Sequence, residues 1–349
     1  MSEKQCNVAW ETLRTYCQNI LIAAGLPESD AFIVADNLID ADLRGVGTHG
    51  VTRLNGYVQR IFSGGIHNKC EMKTLQEHPA TLALDAGNCM GMLAGKYAME
   101  RSIEKARESG CCFTTVSGSN HYGVAAYYLT MATDAGMIAF TGSNANPTMA
   151  PWGSFVPYFG TNPIAFAAPT QKGEVILDMA TSIVALGKVI LAEKLGKDIP
   201  EGWMLTKEGL PTTNPTEGRA GSILPVGGPK GYGLAMFVDI FSGILGGAAT
   251  SNQIPSPWQL ELPQNVGHFF VVVDISKFVD LASFKDRMEQ MSSEIKALPK
   301  NPDVDELFMP GEIEAICKEK TKANGIDVPA AVYQELKKLG EQFKIALTF

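Results

Sequence analysis

Two segments of the chain place a histidine where it can exchange a proton with a small molecule. In "GTHGVTR", His49 and Arg53 stand four apart at the start of a helical pattern. Their side chains can share a face, beside backbone N–H groups that lack intrahelical partners. A guanidinium fork holds a carboxylate through two parallel hydrogen bonds, and an imidazole beside it exchanges a proton near neutral pH. The pair suits a 2-hydroxy or 2-oxo acid, although a helix-capping histidine and a surface arginine would show the same pattern. In "SNHYG", His121 follows a β-branched run and precedes a helical one. Open α/β sheets hold ligands at that position, and a hydrogen-bonded loop histidine would have the same surroundings. His67, His78 and His268 lack such neighbours and read as structural or surface groups.

Other candidates carry less chemistry alone. "LDMATS" ends a buried run with Asp178, which can cap the following helix, orient an imidazole or accept from a ribose or amide. "GPKGYG" sets Lys230 beside a glycine turn, a pattern shared by phosphate nests and solvated turns. "YFGTNPIAF" puts Thr161 and Asn162 ahead of a strand, and "FMPGE" contains Gly311. There is no GxSxG elbow, no GxxxxGK[ST] loop, no HExxH and no GxGxxG after a strand. Any dinucleotide site must therefore be built differently from the usual fingerprint.

These residues need elements to position them. Apolar residues from Val8 to Ala24 predict a first helix stopped by Gly25, and a second runs from Pro27 to Arg44. Thr48 is the expected N-cap of a third, with Val51, Leu54, Tyr57, Val58 and Ile61 as its stripe. From Ala80 the chain alternates β-rich runs ("ATLALDA", "CCFTTVS", "MIAFTGS", "NPIAFAAP", "GEVILDMATS") with amphipathic helices, which predicts an α/β core. A helix from about Ala180 to Leu195 leads into a Gly-, Pro- and Thr-rich stretch that reads as a lid or crossover. An apolar helix after "GGPKGYG", the strand "HFFVVVDI" and three further helical stretches complete the chain.

Composition restricts the function. With 349 residues, the chain suits two domains or one large domain with an appended lobe. A net charge of -8 opposes binding to a phosphate backbone, so nucleic acid is not an expected partner. No apolar run approaches membrane-spanning length and "MSEKQCNVAWETLR" has no signal core. The expectation is a cytoplasmic protein away from membranes. The seven cysteines show no metal-ligand spacing and fit a reducing compartment, with Cys111 and Cys112 read as small core residues.

Taken in order, "RGVGTHGVTRL", "SNHYGVAAYY", "NANPTMAPWG", "YFGTNPIAFAAP", "LDMATS", "EGWMLTKEGLPTT", "GPKGYGLAM" and "FMPGE" resemble the malate/L-lactate dehydrogenase family. That family lacks the ordinary Rossmann fold and includes ureidoglycolate, sulfolactate and diketogulonate enzymes. The resemblance runs from the first helix to Glu312 and beyond. It implies an α/β fold: a non-Rossmann NAD(P)-binding domain (76–246) with a mixed sheet flanked by helices. A helical dimerisation and substrate lobe would be formed from both chain ends (1–75 and 247–349). It implies hydride transfer between NAD, or alternatively NADP, and a small 2-hydroxy acid. Malate is preferred; ureidoglycolate and other 2-oxo or imino acids are the alternatives. A homodimer with the site near the subunit interface is also implied, with no metal.

Carried onto matching positions, the resemblance makes His49 the proton donor and acceptor, with His121 as a second active-site histidine assigned as base in some members. Thr48, Arg53, Thr161 and Asn162 would line the substrate site. His121, Gly123, Asn146, Asp178, Met179, Ala180, Lys230, Gly231, Gly311 and Glu312 would contact the cofactor, and Asp178 would also orient His49. Many relatives have serine at Thr48. Ala145 stands where the ureidoglycolate enzyme has a serine, which weakens that alternative.

Overall fold

The computed structural model describes residues 6–349. In chain order its strands are β1 (Cys6–Val8), β2 (Lys73–His78), β3 (Thr81–Asp85), β4 (Cys111–Ser119), β5 (Met137–Ser143), β6 (Ile164–Pro169), β7 (Glu174–Met179), β8 (Met204–Leu205), β9 (Pro211–Thr212), β10 (Ser222–Ile223), β11 (Val266–Asp274) and β12 (Ile326–Val328). The helices are α1 (Trp10–Ala23), α2 (Glu28–Leu43), α3 (Leu54–Phe62), α4 (Gly91–Ser109), α5 (Ala126–Asp134), α6 (Leu186–Lys194), α7 (Pro215–Ala220), α8 (Pro229–Asp239), α9 (Leu281–Lys296), α10 (Glu312–Asn324) and α11 (Ala330–Phe343).

The central sheet has seven strands in the order β2-β3-β4-β11-β5-β6-β7. Only β3 and β4 run parallel; every other neighbouring pair is antiparallel. This is the expected mixed sheet, and it differs from the parallel order of a doubly wound dinucleotide fold. Helices α4 and α5 cover one face, and α8 with the π-turn Ile240–Ile244 covers the other. The late strand β11 falls within 247–349, the part assigned to the lobe, yet it lies in the middle of the sheet between β4 and β5. Its run "HFFVVVD" is apolar towards both faces: Phe270 and Val272 enter the main core, while Phe269 packs on Phe113, Phe237 and Phe241. Such a strand needs cover on both sides, which only the interior of a sheet supplies.

Elements from the two chain ends pack together. β1 pairs with β12, α1 lies against α2, α11 packs on α1 and α3, and α10 packs on α2. The stretch read as a lid or crossover folds into a small unit of β8–β10, α6 and α7. Its core is Val184, Val189, Ile199, Met204 and Ile223. Helix α6 starts at Leu186 rather than near Ala180, because Thr181 bonds to Thr161 and Ser182 bridges to Pro225. Strand β2 gave no sequence signal, since it is exposed along its whole length and carries no apolar alternation. The strand pleat divides the cysteine pair, burying Cys112 and exposing Cys111. No helix among the described residues is long and apolar enough to cross a membrane.

Phe270 is fully buried at the centre of the sheet, edge-on to Tyr122 and Tyr128. Phe270→Ala should cost about 3–5 kcal/mol, the usual loss for an emptied aromatic core site. A urea titration should show it as a lower midpoint with an unchanged slope.

Candidate active site

His49 lies in the turn that joins α2 to a 3-10 turn, Val51–Arg53, ahead of α3. Its N–H donates to the Val46 carbonyl at 2.9 Å, and that of Arg53 to the Gly50 carbonyl at 3.0 Å. Thr48 is not the cap. The acceptor is Asp42, whose Oδ2 takes the Val51 N–H at 2.8 Å. The Asp42 carboxyl lies so close under Gly50 that a Cβ there would stand 1.9 Å from Oδ1, so only glycine lets the turn close. Thr48 Oγ1 instead meets His49 Nδ1 at 3.0 Å. Arg53 folds back, its Nε donating to the Thr48 carbonyl at 2.7 Å. Among the described residues no acid pairs with the Arg53 guanidinium.

His121 lies in the loop from β4 to α5, and its Nδ1 is 2.7 Å from the Tyr57 hydroxyl and 3.4 Å from the Gly123 amide. An amide N–H only donates, so Nδ1 is the unprotonated nitrogen and the neutral ring carries its proton on Nε2. The Tyr57 hydroxyl then donates as well. The rings of His49 and His121 stack with centroids 5.4 Å apart and planes at 28°. One comes from the helical lobe and the other from the sheet. Burial, then Arg53, holds His49 down to about 4; burial, Arg53 and the other two imidazoles push His121 well below its ordinary value. Both rings are therefore neutral at pH 7. Both rings keep partial contact with solvent although protein surrounds them closely.

Asp178, Met179 and Ala180 stand at the C-terminal end of β7, and Gly231 and Gly311 pack against that strand or the residues just after it. Asp178 is exposed there, and its Oδ2 accepts from the Ala126 N–H at 3.0 Å. It caps α5 and does not orient His49. Although its surface is open on one side, the protein crowded around the carboxyl desolvates it and raises its pKa against the opposing pull of the Ala126 and Ala125 amides and of Arg44. Half-buried Met179 and Ala180 follow. The buried Gly231 packs on the Thr181 carbonyl, bringing the start of α8 and the exposed Lys230 to the same corner. Gly311 lies against Ile176 of β7. Glu312 is tied by Lys296 and accepts from the Met309 N–H at 2.9 Å. The buried Gly123 supplies the amide facing His121, and Asn146 sits half-buried in the loop after β5. Thr161 uses its carbonyl to hold Thr181 at 2.9 Å. Asn162, expected to line the site, is wholly buried; its amide group bonds the Ala145 N–H and the Ala235 carbonyl, each at 3.0 Å. Its side chain joins two backbone segments and has no access to solvent.

A model of the malate/L-lactate dehydrogenase family matches residues 8–337. The chain belongs to that family. Malate dehydrogenase from Pyrococcus horikoshii is 40% identical over 98% of this chain and 97% of its own. Ureidoglycolate dehydrogenase (NAD(+)) from Escherichia coli is 34% identical over 94% of each chain. The crystal structure of malate dehydrogenase from Entamoeba histolytica superposes with a TM-score of 0.95 at 31% identity, covering 99% of this chain and 100% of that one. The protein is accordingly a hydroxy-acid dehydrogenase, and membership of the family implies a nicotinamide cofactor. The corner at β7 fits one: the exposed Lys230 offers positive charge, and Asp178 offers an acceptor.

Sequence reading missed Asp42 and Tyr57. Tyr57 was absorbed into the apolar stripe of α3. Asp42 carried a usable signal, because an acid in the last turn of a helix opposes the dipole and needs another reason to be there. His268 is structural as read, but buried, with its nitrogens 2.9 Å from Ser143 Oγ and 2.8 Å from Ser119 Oγ.

These groups predict acid sensitivity. Burial holds His268 at about 3 and, with Arg53, His49 at about 4, against an ordinary 6.5; His121 is lowered too. Their contribution to stability is complete above 6.5 and is lost as pH falls through the folded values. Asp42, raised by burial from 3.8 to about 7, has the opposite sign: its contribution is present below 3.8 and lost as pH rises through about 7. Asp178, also raised by burial, has the same sign as Asp42. With three imidazoles against two carboxyls, the urea midpoint should fall between about pH 6.5 and 4, and His268→Gln should flatten that fall.

Proposed function

We propose that the protein is an NAD-dependent malate dehydrogenase acting between malate and oxaloacetate. The observation that carries the reading is the Arg53 guanidinium, with no acid partner among the described residues, beside two stacked neutral imidazoles. The names of the malate dehydrogenase relatives support the choice of substrate. Arg53 binds the carboxylate next to C2, fixing the hydroxyl against an imidazole. His49 takes the hydroxyl proton in the oxidising direction and returns it to the 2-oxo oxygen in reverse. A bound nicotinamide supplies the hydride acceptor. His121, with its proton on Nε2, donates a hydrogen bond to the same oxygen. Ala145 offers no hydroxyl to a urea group, which disfavours ureidoglycolate.

The low pKa of His49 makes it a weak base in the free protein, and part of that depression comes from Arg53. A dicarboxylate on Arg53 cancels that part and strengthens the base when substrate is present. The acid limb of kcat should therefore lie at higher pH than that of kcat/KM. The first assay is oxidation of reduced NAD or NADP at 340 nm with oxaloacetate, pyruvate, oxalurate, 2,3-diketogulonate and a cyclic imino acid. Oxaloacetate with reduced NAD should be fastest. His49→Ala should lower turnover by roughly 10²–10⁴-fold, and Arg53→Ala should act mainly on KM. Undiminished turnover in His49→Ala would refute the acid/base assignment.

We also propose a cytoplasmic homodimer. α8 and the π-turn expose Leu234, Met236, Ile240, Ile244 and Leu245, and the only charge between Gly231 and Gly247 is the buried Asp239. A face of this kind is covered in a soluble protein, and a second copy covers it symmetrically. Sedimentation should give a dimer, and the double substitution Ile244→Asp, Leu245→Asp should give monomers.

A further inference from the structure

The second residue of α6, Gly187, faces the turn that carries His49. A Cβ at position 187 would lie 2.6 Å from Cγ2 of Thr48, 3.1 Å from its Cβ and 3.9 Å from its Oγ1. The order of those distances gives the orientation of the threonine. Its methyl enters the notch left by the missing side chain, and its hydroxyl turns away from the helix to meet His49 Nδ1 at 3.0 Å. Threonine is stiff about χ1, so a seated methyl leaves the hydroxyl little choice of direction. The notch itself is fixed, because Val189 of α6 is anchored in the small core with Val184, Ile199, Met204 and Ile223.

We propose that Gly187 is a positioning residue for the dehydrogenase reaction: its bare Cα seats the Thr48 methyl and so holds the Thr48 hydroxyl on Nδ1 of His49. This rests on the reading of His49 as the acid/base. The hydroxyl oxygen accepts from Nδ1–H whether the imidazole is neutral or protonated, which keeps the Nε2 lone pair free for the substrate proton. The small unit built on α6 thereby acts on the chemistry through one glycine–threonine contact. Serine at position 48 needs no notch, because it has no methyl to seat; threonine does.

The test is a set of variants assayed at saturating and limiting substrate: Gly187→Ala, Thr48→Ser, Thr48→Ser with Gly187→Ala, Thr48→Val and His49→Ala. Gly187→Ala should lower kcat about tenfold or more while KM moves little, since a displacement below 1 Å at a reacting group has effects of this order. Thr48→Ser with Gly187→Ala should return to within about threefold of Thr48→Ser alone, because the clashing methyl is gone. Thr48→Val keeps a methyl for the notch and removes the hydroxyl, so it should lose kcat even if Gly187→Ala folds poorly. Wild-type kcat in Gly187→Ala, a double variant no better than Gly187→Ala, or wild-type kcat in Thr48→Val would each overturn the proposal. His49→Ala separates the two levels. If it is inactive while Gly187→Ala is unaffected, only the role of Gly187 fails; if it is fully active, the acid/base reading fails and this one with it.

Discussion

The stack of His49 on His121 depends on both rings staying uncharged. At 5.4 Å two imidazolium charges would repel by about 3 kcal/mol at an effective dielectric of about 20. The stack also joins the two halves of the molecule, since one ring is carried by a turn of the lobe and the other by a loop of the sheet. Neutrality is imposed by the surroundings, through burial and through the fixed positive charge of Arg53. An anion that neutralised Arg53 would relieve part of that depression and make both rings better bases.

Helix α3 holds the sheet side of this stack at two points. Tyr57 and Arg60 are three residues apart and share a helix face. Tyr57 bonds the His121 ring, while Arg60 donates to Asn120 Oδ1 at 3.2 Å, one residue before it. Among the described residues Arg60 has no acid partner, and its buried Nε has no partner at all; its two terminal nitrogens are held by carbonyls, those of Gly65 at 3.1 Å and Leu262 at 2.9 Å among them. A buried charge persists only when so satisfied, and removing any one carbonyl is costly. Asn120 in turn donates to the Cys89 carbonyl at 2.9 Å. The His121 loop is thus pinned to α3 on one side and to the start of α4 on the other.

Much of this was legible in the sequence where the signal is local. The helices of the lobe, the alternating core, His49 with Arg53, and His121 at a strand-to-helix junction all follow from spacing and periodicity. What escaped depends on contacts between distant residues. The cap of the His49 turn is Asp42 from the preceding helix, although Thr48 has the right type and position for one. Asp178 meets the amide of Ala126 rather than an imidazole, because the end of β7 lies against the start of α5. Asn162 belongs to the interior because its two polar ends meet two separate backbone segments. The place of β11 in the sheet could not be read from its own residues, since an apolar run announces burial without naming its neighbours.

That placement sets the order in which the protein can be made. The ribosome delivers β4 and β5 by residue 143, yet the strand that joins them begins at residue 266. Throughout the synthesis of the segment between, the nascent chain carries two half-sheets, each with an unpaired inner edge able to join another chain. The His121 loop is tethered to the first of these halves, while the β7 corner belongs to the second. The two are brought together only when β11 closes the gap. A chain stalled before that strand would offer its neighbours two open edges to pair with, a hazard that the finished sheet removes.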